Sequence, residues 1–284
     1  MKKLLFSLLT LASGFSYSQE LEKSLLWRIS GNGLQQESYL FGTIHMTCDS
    51  TLEENTIKAL ENTKQLYLEL DMDDESMQKQ MMKHMIMKDD KKLSSLLSAE
   101  DYELVDEFLK KNIKMSAKMF DSFKPFIVTT MLYPKMLDCP FQSVENTLMK
   151  ISKEQNEEIF GLETVEEQMR VFDKIPYEIQ AEELVKMAKS YLAKDKAEMN
   201  KMMKIYQNKD IEGMLKMIKE SDNKISAENQ EVLLNNRNKN WIPLMIEIMS
   251  DKPTFFGVGA AHLAGEEGVI NLLRKKGYEV EAVK

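Results

Sequence analysis

Short runs of aliphatic, β-branched and aromatic residues alternate along this chain with long charged stretches in which apolar residues return every three or four positions. A strand sends alternate residues to one face and a helix buries a stripe, so the two spacings separate the two element types. Six runs read as strands, at 25–29, 39–44, 65–70, 158–162, 254–258 and 278–283. Ser30-Gly31-Asn32-Gly33 lies between the first two and supplies residues that tolerate positive φ, which predicts a hairpin. Strands gather at both ends and near Glu163, while the middle is helical. The expected class is therefore α+β (mixed α/β), with a central sheet built from N- and C-terminal strands.

Helices are expected over 53–63, across most of a helical insertion at 76–150 delimited by Pro125 and Pro134, and from Pro176 towards Ala193. Others should cover 196–218 with Gly213 as a weak point, run from near Ala227 through Arg237, Asn238 and Trp241, and cover 266–276. Pro243 should kink or interrupt the helix that carries Trp241, because proline lacks an N–H and its ring crowds the preceding turn. Gly277 stands where a left-handed cap would end the last helix.

The amino terminus has a different character. Met1-Lys2-Lys3 precedes an apolar run from Leu4 to Phe15, and Ser16-Tyr17-Ser18 places small residues where a signal peptidase reads. The run is shorter than the roughly 20 residues that span a bilayer, so 1–18 reads as a signal peptide rather than an anchor. Residues 19–284 then form a single domain exported to a periplasm or beyond the cell, with no membrane span in the mature chain. No Ser/Gly-rich linker, low-complexity block or repeat divides it. A formal net charge of -8 argues against a nucleic-acid surface, which needs an excess of Lys and Arg. Cys48 and Cys139 are the only cysteines, and in an oxidising compartment an even count makes them a disulfide candidate; two reduced, buried thiols are the alternative.

Candidate chemistry concentrates in a local pattern that occurs twice, as Phe41-Gly42-Thr43-Ile44-His45 and Val258-Gly259-Ala260-Ala261-His262. Gly42 and Gly259 would let the backbone turn sharply or approach a ligand closely, with each imidazole held at the sheet's edge. The chain has 3 His, and two of them share this context. Neutral imidazole is a common ligand of divalent transition metals, and carboxylates complete such sites. Glu69, ending the third strand run, and Glu163, after the fourth, are the acids at hand. The plainer alternative is a pair of hydrogen-bonded structural histidines and two solvated acids. His84 lies among Met81, Met82, Met85 and Met87 and reads as an ordinary helix residue. The methionine stripe reads as core or groove lining, adaptable enough for a peptide or lipid-like ligand. No His-Glu-x-x-His helix, Gly-x-Ser-x-Gly elbow or phosphate-binding loop is present.

These motifs carry a resemblance to the TraB/GumN family, which is related to the TIKI membrane proteases. The stretch from Ser38 to His45 resembles the family's first Gly-x-x-His motif, and the stretch from Phe256 to Gly265 resembles the second. Leu26-Trp27-Arg28-Ile29 resembles its opening strand, Gly161-Leu162-Glu163-Thr164 with Gln168 its central motif, and Arg237-Asn238 with Trp241 its late helix. The resemblance implies a metal-dependent hydrolase, a peptidase acting on a peptide or protein substrate. His45 and His262 would bind a divalent metal ion (manganese, cobalt or zinc), with Glu69 or Glu163 as third ligand and the other acid as general base towards metal-bound water. Arg237 would bind a substrate carboxylate or stabilise developing negative charge, with Asn238 hydrogen-bonding beside it; a salt bridge is the alternative role. A non-catalytic binding protein that sequesters a peptide, metal or haem-like ligand would use the same histidines.

Overall fold

The computed structural model describes residues 21–284, so the expected signal peptide at 1–18 lies outside the described residues. All six strand runs form strands: β1 (Leu26–Ser30), β2 (Ser38–Thr43), β3 (Gln65–Leu68), β4 (Glu158–Gly161), β5 (Phe255–Gly259) and β6 (Glu279–Ala282). They join in one sheet of order β4-β3-β5-β2-β1-β6. β4, β3, β5 and β2 are mutually parallel, whereas β1 runs antiparallel to both β2 and β6. The hairpin between β1 and β2 turns through Gly31, Asn32 and Gly33, whose φ values of 77°, 45° and 87° are the left-handed ones that this sequence tolerates. Parallel neighbours need crossovers, and the helical stretches supply them.

β5 lies inside the sheet, and Phe255, Phe256 and Val258 are each 0% exposed. A strand covered on both faces reads as a continuous apolar run rather than an alternation, which is the pattern at 254–258. Trp241, Met245, Leu263 and Leu273 pack with Leu40, Leu66 and Phe255 in one core built on the sheet. A second core is wholly helical. Val105, Phe108 and Leu109 of the helix Ala99–Ile113 meet Val128 of Pro125–Thr130 and Ala181, Leu184 and Ala188 of Tyr177–Ser190. Tyr177–Ser190, outside the stretch 76–150, contributes to the same core.

Three local expectations turned out differently. Pro243 does not interrupt its helix: Asn236–Asp251 runs through it, because Trp241, Ile242 and Met245 are buried on either side and outweigh one missing backbone bond. Gly213 is no weak point within a long helix. The chain breaks earlier, and Asp210 caps a new helix, Ile211–Lys219, by accepting the Gly213 N–H at 2.8 Å. The last helix begins at Val269 rather than near 266. Among the described residues no helix is long and apolar enough to cross a membrane.

Cys48 and Cys139 are joined by a disulfide, with Cα atoms 5.6 Å apart. The bond ties the loop after β2 to the segment that enters the helix Val144–Glu154.

Candidate functional site

The four residues singled out from the sequence lie just beyond the carboxyl ends of four parallel strands: His45 after β2, Glu69 after β3, Glu163 after β4 and His262 after β5. Loops leave a parallel sheet on this edge and splay apart, which is where ligand crevices form in such sheets. Backbone pairing continues past the named strands, since Glu163 N–H donates to the Glu69 carbonyl at 3.0 Å. The two carboxylates are thereby set side by side.

Between them stands Arg237. Its Nε–H donates to Glu163 at 3.1 and 3.2 Å, its Nη2 to Glu69 at 2.5 Å and also to Glu163, and its Nη1 to the Leu233 carbonyl at 3.1 Å and to His262 Nε2 at 3.1 Å. A guanidinium has five N–H donors, and all five are engaged by protein acceptors. Arg237 forms ion pairs with both Glu69 and Glu163. A π-type turn, Glu231–Asn235, precedes its helix and contains Leu233, whose carbonyl accepts that bond. The guanidinium also lies over the Trp241 ring, 4.8 Å from its centroid.

Glu69 and Glu163 share one cation and respond differently. Burial disfavours the charged form of Glu69, but Arg237 and the Gly259 N–H at 2.8 Å outweigh it and hold the carboxyl well below the usual range. Burial of Glu163 raises its pKa, and Arg237 reduces that rise without cancelling it. Gln168 spans the pair, donating to Glu163 at 3.0 Å and Glu69 at 3.4 Å.

His262 is buried, and its tautomer follows from its neighbours. Asn238 Nδ2 donates to the His262 and Glu267 carbonyls at 3.2 and 2.8 Å, so Asn238 Oδ1 is an acceptor. It takes the His262 Nδ1–H at 2.6 Å, which leaves the Nε2 lone pair facing Arg237. Burial keeps this imidazole neutral and depresses its pKa to about 3.

His45 is the opposite case. Its side chain is 70% exposed, and its Nδ1–H donates to Glu145 Oε1 at 2.7 Å. The cleft walls press its pKa down, but the Glu145 bond and charge outweigh them and raise it to about 9. Glu145 is buried, and its other oxygen accepts from Ser143 Oγ at 2.7 Å. Burial favours its neutral form, yet the His45 bond prevails and lowers its pKa. Sequence reasoning missed Glu145. A signal was present: it shares the buried face of the helix Val144–Glu154 with Val144, Leu148 and Ser152, and an acid on an apolar stripe needs a partner.

His45, Glu69, Glu145 and Gln168 line one cleft of about 300 Å3. The motif glycines make room for this arrangement, and neither uses a positive φ. A Cβ on Gly42 would come within 2.9 Å of Ala260 Cβ, and one on Gly259 within 3.2 Å of Glu69 Oε1.

The model of the TraB/PrgY/gumN family matches residues 25–282, nearly the whole chain. The chain belongs to that family. No curated protein and no solved structure matches it.

For this TraB/PrgY/gumN member, the donor chemistry suits the divalent cation that the family resemblance implies. Each imidazole has its Nδ1 tied to an orienting acceptor, which leaves Nε2 as the ligating nitrogen, and carboxylates stand close by. Among the described residues, however, no three His, Cys, Asp or Glu side chains come together closely enough to hold an ion. Arg237 occupies the place where the two acids and His262 converge.

Proposed function

We propose that this chain is an exported hydrolase acting on a peptide or protein substrate at the carboxyl edge of its sheet, with His45 and His262 as its working imidazoles. The observation that carries the reading is an exposed imidazole, backed by a buried carboxylate, in a cleft fed by the ends of parallel strands. With no ion bound, His45, paired with Glu145, keeps a proton near neutral pH and would pass it to a leaving nitrogen. Glu145 orients the ring. Asn238 holds His262 in the tautomer with Nε2 unprotonated, where it accepts from Arg237. Arg237 compensates the two buried acids and so keeps Glu69 ionised at the cleft wall.

A divalent ion (manganese, cobalt or zinc) would be held by His45 and His262 with Glu69 or Glu163, and would supply an acidified water and a polarised carbonyl. Binding it requires that His45 lose its proton and that Arg237 release His262, so proton, guanidinium and metal compete for the same acceptors. The export element of the proposal rests on the residue pattern of 1–18. The engagement of all the Arg237 donors by Glu69, Glu163, His262 and Leu233 favours a second reading, a binding protein that sequesters a peptide, metal or haem-like ligand without turnover.

A peptide-library digest separates the two. Wild type should cleave, with manganese, cobalt or zinc supplied, while His45→Ala and His262→Ala should not. Equal cleavage by all three proteins would remove both histidines from the mechanism, and binding of peptides without cleavage by any would favour the second reading.

A further inference from the structure

We propose that the apolar part of this cleft is a subsite for one bulky apolar side chain of the substrate, with Phe141 as its specificity-determining residue and Met72 and Met77 as its adaptable lining. The inference rests on the hydrolase reading and names the substrate class for that site.

The cleft's lining is of two chemical kinds: His45, Glu69, Glu145 and Gln168 are polar, and Leu70, Met72, Met77 and Phe141 are apolar. Phe141 is 50% exposed although its loop is firmly held. Cys139, two residues earlier, is bonded to Cys48. Thr47 and Gln142 exchange both backbone hydrogen bonds at 3.0 Å. The Gln142 side chain accepts from Ser50 N–H at 3.0 Å and donates to the Cys48 carbonyl at 3.1 Å. Ser143 caps the next helix.

Extended backbone sends successive side chains to opposite sides. Gln142 faces the 47–50 loop, so Phe141 and Ser143 both face the cleft, and both line it. A tethered loop that holds an aromatic ring half in water forgoes the free energy of burial until a ligand covers it. Met72 and Met77, which also line the cleft, belong to a segment whose helix, Met77–His84, has no buried residue. Unbranched thioethers on such a segment can repack around different apolar shapes.

Size and charge narrow the ligand. About 300 Å3 is at the small end of ligand pockets and suits one side chain with its flanking peptide. Leu70, Met72, Met77 and Phe141 offer an acidic side chain no hydrogen-bond donor. The subsite therefore selects Phe, Leu, Met, Tyr or Trp over Asp, Glu or Gly.

Methyl-labelled methionine NMR on the full chain tests binding without turnover. Titration with N-acetyl-phenylalanine amide should shift the Met72 and Met77 methyl signals, and N-acetyl-aspartate amide should not. Phe141→Ala should weaken the apolar ligand roughly tenfold, and Phe141→Leu should restore most of that loss. Equal shifts with both ligands, no shift at Met72 and Met77, or an unchanged affinity in Phe141→Ala would overturn the subsite. In the peptide digest, wild type should cut beside bulky apolar residues, and Phe141→Ala should lose that preference roughly tenfold in kcat/KM. Cleavage without any such preference overturns the subsite and leaves the hydrolase reading standing. Selective methyl shifts with no cleavage support the subsite and overturn the hydrolase reading.

Discussion

Full charges are buried in two regions of this protein, and the regions handle them differently. In the helical region Lys124 is 2% exposed, pairs with Asp173 at 2.8 Å and donates to the Met169 carbonyl at 3.2 Å. Asp173 also accepts from Tyr177 Oη at 2.7 Å and pairs with Lys88 at 3.0 Å. There one carboxylate meets two ammonium groups. At the carboxyl edge of the sheet the balance reverses, since Glu69 and Glu163 share the single guanidinium of Arg237, and Glu69 lines a cleft. Two buried carboxylates there meet one guanidinium, beside a cleft that solvent can enter. A closed pair in a helical core holds elements together. The contrast is one of stoichiometry and access rather than of residue type.

The largest effect should come from Arg237→Met. It leaves two buried carboxylates without their cation and should cost about 3–5 kcal/mol in chemical denaturation. A loss under about 1 kcal/mol would show that the acids do not depend on Arg237. Replacing Cys48 and Cys139 by Ser should cost about 2–4 kcal/mol through the freed denatured chain. It should also raise methyl mobility around the cleft more than in the helical core.

Lys124→Met should cost less than Arg237→Met, about 2 kcal/mol, because Asp173 retains Tyr177 and Lys88. A reversal of that order would break the comparison. Its pH signature has a definite sign. Burial disfavours ionised Asp173, but bonds from Lys124, Tyr177 and Lys88 prevail and depress its folded-state pKa. The stabilisation is therefore complete above the ordinary Asp value of about 4 and is lost as pH falls through the depressed value. Urea titrations below that point should find wild type and Lys124→Met more alike than at neutral pH.

The smallest change in stability should accompany Glu145→Gln, whose partner His45 is largely exposed. Its effect should appear in chemistry. The His45 pKa should fall from about 9 towards the unperturbed value of about 6.5 in an NMR titration. Turnover should drop by on the order of 100-fold with its pH profile displaced in the same direction. An unmoved His45 titration would remove Glu145 from the site.

How far each feature could be read in advance depended on how local its cause is. Periodicity is carried by neighbours in sequence, so the six strands, the hairpin at Gly31 and Gly33 and the mixed sheet were legible from the residues alone. So was membership of the family, because the two Gly-x-x-His motifs and the Leu26, Glu163 and Arg237 segments occur in order along one chain. Tertiary structure decided what these residues face. Glu145 reaches His45 across 100 positions, and Arg237 reaches Glu69 across 168 and Glu163 across 74. It decided that Pro243 sits inside a helix, because burial on both sides of it outweighs one lost bond. It also decided that Phe141 lines the cleft, through a disulfide and a two-residue bridge. Local spacing sets which face of an element is apolar or charged; only the closure of long loops sets which charge that face meets.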